Sequence, residues 1–458
     1  MNIKRAKQEI TNTIKAYLAR DAFGEYQIPP VRQRPILLMG PPGIGKTQIM
    51  EQIAAETGVG LIAYTITHHT RQSALGLPYI DHHIYDGKEY AVTSYTMSEI
   101  LASVYDLMER TGVREGILFL DEINCISETL TPMMLQFLQC KTFGNQKLPE
   151  GWIIVAAGNP PEYNKSVREF DVVTLDRVKR IDVQEDFRVW KEYAYQRGLH
   201  SAVISYLDIR PDNFYKIEAA ADGLRFATAR GWEDLSALLT TYESLGLPVD
   251  REVVGQYIQL PRIAKDFANY LELYRKYQRV YRVDEIVAGQ WEPVRASEFA
   301  AAPFDEKLSV IGLILSRLAE QARAAWRMDA LTDAVYADLT RVKGALTTAP
   351  VAKALVTIIG DRTCELQSGR EAGTLDPEGK RRMQSELALL EQYLHAVEQQ
   401  GESENEKDFD VLRAQFGAQT TARAEAVTLA GQGLDHAFAF LEQATGESQE
   451  MVLFATEL

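Results

Sequence analysis

The segment Gly40–Thr47, with the sequence GPPGIGKT, limits what this chain can fold into more than any other part of it. It follows the apolar run Ile36–Met39 and precedes a helical pattern that begins at Gln48. Glycines let main-chain N–H groups approach an anion closely, and the positive end of the following helix points at the same place. Strand, glycine-rich loop and helix in this order predict a phosphate-binding loop. The residues predicted to contact a nucleotide are Gly40, Pro41, Pro42, Gly43, Ile44, Gly45, Lys46, Thr47 and Gln48.

Four side chains at this predicted site have distinct expected roles. Lys46 is expected to reach the β and γ phosphates, and Thr47 to ligate magnesium. Asp121 and Glu122 end the apolar run Ile117–Leu120, and the carboxyl ends of strands in α/β sheets are where ligands bind. Asp121 is predicted to hold the hydration shell of magnesium, and Glu122 to orient and deprotonate the attacking water. ATP and Mg²⁺ are therefore the predicted cofactors.

A neutral amide follows the next apolar run, Ile153–Ala157. Asn159 could hold the attacking water or the γ phosphate there without adding charge repulsion. The spacing alone fits equally well a turn residue before Pro160 and Pro161. Both interpretations stay open at this point.

Short apolar runs alternate with helical patterns up to Val183, which predicts an α/β fold with a parallel sheet between helices. After Val183 the strand signals stop, and amphipathic helical patterns continue to the end. We therefore expect three domains: an α/β nucleotide-binding core (1–184), a helical subdomain (185–285) and an all-helical C-terminal extension (286–458). The runs predicted to be strands are Ile36–Met39, Gly60–Tyr64, Ile117–Leu120, Ile153–Ala157 and Val178–Val183.

Charge and cysteine content restrict the class of protein. The chain has 49 basic and 64 acidic residues and a formal net charge of -15, which gives no general attraction to nucleic acid or anionic lipid. Three cysteines without CxxC spacing favour neither a disulfide framework nor a zinc ribbon. Charges near the start leave no apolar run for a signal peptide. We expect a cytoplasmic location, no membrane contact and no nucleic-acid partner.

Two pairs of histidines raise the question of a metal site. His68-His69 and His82-His83 could together offer four imidazoles to zinc or nickel. Adjacent residues in a strand point to opposite faces, and no cysteine lies nearby. The pairs are therefore predicted to be loop residues around a hairpin, with a metal site as the alternative.

In their order and spacing, these motifs resemble those of AAA+ ATPases, and within that class those of the MoxR group. The resemblance spans Pro35 to about Glu243. It implies a P-loop AAA+ core in which Gly40–Thr47 is Walker A, Asp121 and Glu122 are Walker B, and Asn159 is sensor 1. The subdomain 185–285 would then be the helical lid.

The same resemblance implies two catalytic arginines. Leu175-Asp-Arg177 resembles the segment that carries the arginine finger, with Arg180 as the second candidate. A salt bridge from Arg177 to Asp176 or to another carboxylate is the structural alternative. The segment Thr228–Ser236, which contains Arg230, resembles the start of the sensor 2 helix. Ala229 stands there where the group usually has proline. A helix-surface arginine is the alternative for Arg230.

Hairpins are predicted at Ile84–Val92 and at Cys140–Lys147, where Asp-Gly and Gly-Asn are favourable turns. In the group, such hairpins face a central pore or a neighbouring subunit. The candidate contact residues are Tyr85, Lys88, Lys141 and Phe143. Ordinary surface hairpins remain the alternative.

Taken together, the resemblance implies a ring-forming ATPase, expected to be a hexamer, that remodels or matures partner proteins. A partner with a von Willebrand factor A domain is expected on the same ground. Two alternatives remain open: an ATP-gated assembly scaffold with little turnover, and a nucleic-acid-linked AAA+ motor, which the acidic composition disfavours.

Overall fold

The structure, a computed structural model, describes residues 1–68, 76–144, 146–163, 167, 170–220, 223–347, 349–399 and 405–458. It divides into two compact units. The first unit is Met1–Asp186 with Thr363–Arg381, and the second unit is Phe187–Arg362 with Arg382–Leu458. The three predicted domains, 1–184, 185–285 and 286–458, stay a prediction.

The first unit is built on a parallel sheet. Five strands form it in the order β2-β5-β8-β1-β9, and each lies within two residues of a predicted apolar run. The predicted α/β core is thus confirmed, and β9, with its alternating polar residues, joins the sheet in parallel as well. The strands described in this unit are β1 (Ile36–Met39), β2 (Gly60–Thr65), β3 (Pro78–Tyr85), β4 (Lys88–Tyr95), β5 (Gly116–Asp121), β6 (Thr142–Phe143), β7 (Gln146–Lys147), β8 (Trp152–Gly158) and β9 (Lys179–Asp182).

Helices cover both faces of this sheet. On β5, Ile117 and Phe119 pack into one core with α1 and α2, whereas Leu118 and Leu120 pack into another with α3 and α4. Burial on both faces explains why the central strands lack polar alternation. The helices described in the first 186 residues are α1 (Ile3–Leu18), α2 (Lys46–Thr57), α3 (Glu99–Thr111), α4 (Thr131–Cys140) and α5 (Val172–Leu175).

A distant segment, Thr363–Arg381, completes the first unit. Ala372 is 1% exposed and belongs to the core that contains Leu118. Gly373 has a left-handed φ of 69°, and a Cβ placed on it would lie 3.3 Å from the Cβ of Leu61. Leu61 is on β2, which is an edge strand of the sheet. The segment therefore covers an edge that would otherwise be open to another chain.

The second unit is mostly helical. Its described helices are α6 (Phe187–Arg197), α7 (Ser201–Ile209), α8 (Ala229–Leu245), α9 (Arg251–Tyr257), α10 (Pro261–Tyr281), α11 (Val283–Val287), α12 (Pro293–Ala301), α13 (Phe304–Ala345), α14 (Val351–Ala372), α15 (Pro377–Glu398), α16 (Asn405–Thr445) and α17 (Gln449–Glu457). Helices α14 and α15 continue into the segment that completes the first unit. No helix among the described residues has the length and apolar character needed to cross a bilayer.

One prediction for this region is wrong: strands do not stop at Val183. An antiparallel pair, β10 (Lys216–Ala220) and β11 (Gly223–Ala227), lies inside the stretch predicted to be helical. Both strands are short and largely exposed, so the apolar signal that marks buried strands is weak. The Asp-Gly pair at 222–223 is a hairpin signal that sequence reasoning passed over.

The predicted hairpin at 84–92 is longer than expected. Strands β3 and β4 pair over eight residues each, around a turn at Asp86 and Gly87 with left-handed φ values of 50° and 76°. Tyr85 lies near its tip and is 55% exposed. Lys88, across the turn, is also exposed. Both candidate contact residues are therefore accessible in a single chain.

The second predicted hairpin contains the short pair β6 and β7, and Asn145 lies outside the described residues. Phe143 is not an exposed contact residue: it is buried and stacks on Phe137 with ring centroids 3.9 Å apart. Lys141 is half-buried, and its Nζ lies 3.5 Å from Gln33 Oε1. Burial lowers the pKa of Lys141 to about 8.

The second histidine pair, His82 and His83, lies on strand β3 and not in a loop, so that prediction is wrong for this pair. His82 Nδ1 is 3.1 Å from Glu89 Oε1, and His83 Nε2 is 3.3 Å from Asp81 Oδ2. Within the described part of the chain, no group of three or more metal-ligating side chains occurs. His69 lies outside the described residues.

A buried ionic cluster joins three helices of the second unit. Asp338 on α13 is fully buried, and Arg362 on α14 donates hydrogen bonds to both of its carboxylate oxygens at 2.8 to 3.2 Å. Glu386 on α15 is 2% exposed, and its Oε1 lies 3.1 Å from Arg362 Nε. Burial, together with a hydrogen bond to Asp338, raises the pKa of Glu386 to about 7.

This cluster predicts a pH-dependent stability. The pKa of Glu386 rises from an ordinary 4.5 to about 7 on folding, so its favourable contribution is complete below pH 4.5 and is lost as the pH rises through 7. Glu386→Gln keeps a neutral side chain at every pH. We expect it to raise the melting temperature by a few degrees at about pH 8.5 and to change it little at about pH 4.5. Thermal unfolding followed by circular dichroism measures both values.

Glu391→Gln, on the exposed face of the same helix, is the matched control and should alter neither melting temperature. An equal effect of Glu386→Gln at the two pH values would contradict the expected titration.

Candidate nucleotide site

The loop between β1 and α2 has a backbone shape that depends on two of its glycines. Gly45 has a left-handed φ of 91°, and α2 starts at the next residue without a side-chain cap from Gly45. The first N–H groups of any helix lack partners within the helix. At the start of the loop, a Cβ on Gly40 would lie 2.8 Å from the main-chain oxygen of Val183. Glycine is therefore required at Gly40 by space and at Gly45 by conformation.

Lys46 lies inside this loop and is only 7% exposed. Its Nζ donates hydrogen bonds to the main-chain oxygens of Gly40 and Pro41, both at 2.8 Å. It also donates to Oδ1 of Asn159 at 2.8 Å. The ammonium group is thus held between the loop and the end of β8, where Asn159 was predicted to act.

Thr47 and Asp121 meet across the sheet edge. Thr47 Oγ1 donates a hydrogen bond to Asp121 Oδ2 at 3.0 Å. A hydroxyl and a carboxylate are the hard oxygen ligands that Mg²⁺ prefers, with water and phosphate completing its shell. These two side chains therefore fit the predicted magnesium site.

Glu122 follows β5 in an uncommon conformation. Its φ of 56° is in the left-handed region, and its N–H donates to Oδ1 of Asp121 at 2.9 Å. Its Oε2 accepts a hydrogen bond from Thr67 Oγ1 at 3.1 Å. Sequence reasoning missed Thr67. Thr67 lies two residues after β2, and Thr65 at the end of β2 pairs with Asp121. That pairing exists only in the folded sheet, so the sequence alone carries no signal for Thr67.

Asn124 is a second residue that sequence reasoning missed. Its Nδ2 donates to the main-chain oxygen of Asn159 at 2.7 Å, and its Oδ1 accepts from the Asn159 N–H at 3.3 Å. Hydrogen bonds thus connect Asn124 to Asn159 and Asn159 to Lys46. No pattern in a single sequence marks a side chain whose partners are main-chain atoms of a residue distant in the chain.

The predicted arginines lie outside this network. Arg177 is exposed just after α5 and donates a hydrogen bond to Gln139 Oε1. The alternative pairing with Asp176 does not occur among the described residues. Arg180 is also exposed, and its Nε donates to Asp182 Oδ1 at 2.9 Å. Arg230 is the second residue of α8, in the second unit, and is exposed.

The sheet order and the loop define a P-loop α/β nucleotide-binding fold. More narrowly, residues 35–178 match the family model described as the AAA domain, dynein-related subfamily. Over this segment the chain is similar to AAA domains, and the P-loop α/β fold predicted for the core is confirmed. The match does not distinguish the MoxR group within this larger class.

Comparisons with curated proteins and with solved structures do not narrow the class further. Nothing among the curated proteins matches the chain. Two crystal structures of the FIGL-1 AAA domain are similar to it at 14% identity, one of them in complex with ADP. They cover 60% of this chain and 86% and 85% of their own lengths, with TM-scores of 0.32 and 0.31.

Proposed function

We propose that this protein binds ATP with magnesium and hydrolyses it. The observation that carries the proposal is two hydrogen-bonded pairs, Lys46 with Asn159 and Thr47 with Asp121. Glu122 lies next to the second pair and donates its N–H to Asp121. A cation, a neutral amide, a hydroxyl and two carboxylates at the end of a parallel sheet are the side chains that phosphoryl transfer requires.

Each side chain has a distinct part in the proposed reaction. Lys46 and the N–H groups at the start of α2 bind the phosphates, and Lys46 exchanges its loop carbonyl partners for phosphate oxygens. Thr47 and Asp121 hold Mg²⁺, which when bound neutralises phosphate charge. Asn159 orients water next to the γ phosphate, and Glu122 takes the proton from that water. Arg230 is proposed as the sensor 2 residue.

We further propose that hydrolysis depends on assembly into a ring, as in the MoxR-like proteins that the sequence resembles. The exposed position of Arg177 supports this, because a cation on the surface can reach a nucleotide held by a neighbouring copy. A hexamer, a cytoplasmic location, chaperone-like remodelling of partner proteins and a von Willebrand factor A-type partner belong to the same proposal.

Lys46→Ala tests the nucleotide site directly. Removal of the ammonium takes away a charge-assisted contact to phosphate, and we expect affinity for magnesium ATP to fall about a hundredfold. Isothermal titration calorimetry measures this value. Lys15→Ala, on the exposed face of α1, is the control and should bind as tightly as the unchanged protein. Absence of any binding heat from the unchanged protein would contradict the proposed function itself.

A further inference from the structure

Asn124 lies in the turn after β5 and is 3% exposed. Both ends of its side-chain amide are bonded to the main chain of one residue, Asn159: the nitrogen to the carbonyl and the oxygen to the N–H. Bonds to both groups fix the two peptide planes that flank Asn159. The Asn159 side chain, which accepts a hydrogen bond from Lys46, therefore starts from a fixed backbone.

The last residue of β8, Gly158, leaves space for the Asn124 side chain. A Cβ on Gly158 would lie 2.6 Å from Asn124 Oδ1, so only glycine leaves room for the amide. The main-chain oxygen of Gly158 accepts from the N–H of Gly40, the first residue of the phosphate-binding loop. One residue before Asn124, the N–H of Ile123 donates to the oxygen of Ala157 at 2.9 Å. The turn after β5 is thus bonded to β8, and β8 to the loop.

The same turn contains Glu122, two residues before Asn124. A non-glycine residue with a φ of 56° is strained, and it persists only where its surroundings hold it in place. The hydrogen bonds from Ile123 to β8 and from Asn124 to Asn159 hold the turn that contains Glu122 in this conformation. One short segment therefore sets the positions of both Glu122 and Asn159.

We infer that Asn124 is a positioning residue for hydrolysis: its amide holds the Asn159 backbone and the Glu122 turn in fixed relation, so that water is oriented between them. The inference rests on the proposed ATPase function and adds a residue that never touches the nucleotide. Misplacement of reacting groups by about 1 Å can cost a hundredfold in rate. Loss of the two hydrogen bonds between Asn124 and Asn159 should therefore lower turnover rather than nucleotide binding.

The test compares Asn124→Leu with the unchanged full-length protein. We expect kcat for ATP hydrolysis to fall about tenfold to a hundredfold, while the dissociation constant for magnesium ADP changes less than about threefold. Gly158→Ala, whose Cβ would displace the amide without altering Asn124 itself, should reproduce the same split between kcat and binding.

Gln33→Leu is the matched structural control. Gln33 is 4% exposed, and its side-chain amide donates to two main-chain oxygens, those of Tyr17 and Ile28, at 2.8 and 2.9 Å. Its loss likewise removes two hydrogen bonds between a buried side-chain amide and the main chain of the same unit, together with the 3.5 Å contact to Lys141 Nζ. Thermal unfolding should show similar destabilisation for Gln33→Leu and Asn124→Leu, but only the latter should lose turnover.

Hydrogen exchange supplies a measurement that does not depend on turnover. The Asn159 N–H should exchange faster in Asn124→Leu than in Gln33→Leu, as measured by mass spectrometry of the peptide that contains it. Full turnover in Asn124→Leu, equal losses in both variants, or unchanged exchange at Asn159 would each overturn the inference. An unchanged protein that hydrolyses no ATP would instead overturn the proposed function.

Discussion

Glu122→Gln should abolish measurable phosphate release while magnesium ATP still binds. Glutamine keeps the shape of the side chain and can still accept the hydrogen bond from Thr67, but it cannot take a proton from water. General-base catalysis contributes about two to four orders of magnitude, so we expect kcat to fall about a thousandfold. Steady-state phosphate release measures kcat, and calorimetry measures binding.

Glu109→Gln, on the exposed side of α3, provides the control for removing one negative charge from the same unit. This experiment also separates an ATPase from an ATP-gated scaffold. Release by the unchanged, assembled protein that vanishes in Glu122→Gln supports hydrolysis. Equal release by both proteins would mean that Glu122 is not the base.

Arg177→Ala should leave nucleotide binding intact and lower hydrolysis about a thousandfold. The guanidinium is exposed and contacts Gln139 rather than the phosphate-binding loop of its own chain. We therefore expect it to act on a nucleotide bound by another copy. Turnover per chain should rise with protein concentration in the unchanged protein and stay flat in the variant.

Arg180→Ala is the informative comparison, because Arg180 lies three residues further on and was the second candidate. Its guanidinium is paired with Asp182, so its removal is expected to have the smaller effect. If Arg180→Ala loses turnover and Arg177→Ala does not, the two assignments must be exchanged. Size-exclusion chromatography of both variants with nucleotide shows whether assembly itself has changed.

The sheet could be predicted closely because its signals are local. Each central strand is a continuous apolar run, because the strand is buried on both faces. Buried residues such as Phe119 and Val155 can therefore be recognised from the sequence alone. The pair β10 and β11 escaped prediction for the opposite reason. Its strands are short and largely exposed, so they lack the continuous apolar run that marks a buried strand.

The side chains predicted to act on the nucleotide could be identified from the sequence, but the residues that hold them in place could not. Lys46, Asp121 and Glu122 stand in recognisable motifs, whereas Thr67 and Asn124 act through hydrogen bonds that exist only once β2, β5 and β8 lie side by side. Phe143 shows the same limit, since an aromatic residue next to a turn gives no sign of whether it stacks inward on Phe137.

The segment that covers the edge of β2 comes from far along the chain, which matters for how the protein is made. When residues 1–186 have left the ribosome, the side of the sheet that receives Ala372 still faces water, with an unprotected strand beside it. Some 180 further residues must be translated before that gap closes. For many seconds of synthesis, a nascent chain would thus expose apolar surface and an unpaired strand edge, which favour aggregation. A protein truncated after residue 186 would expose the same surface permanently.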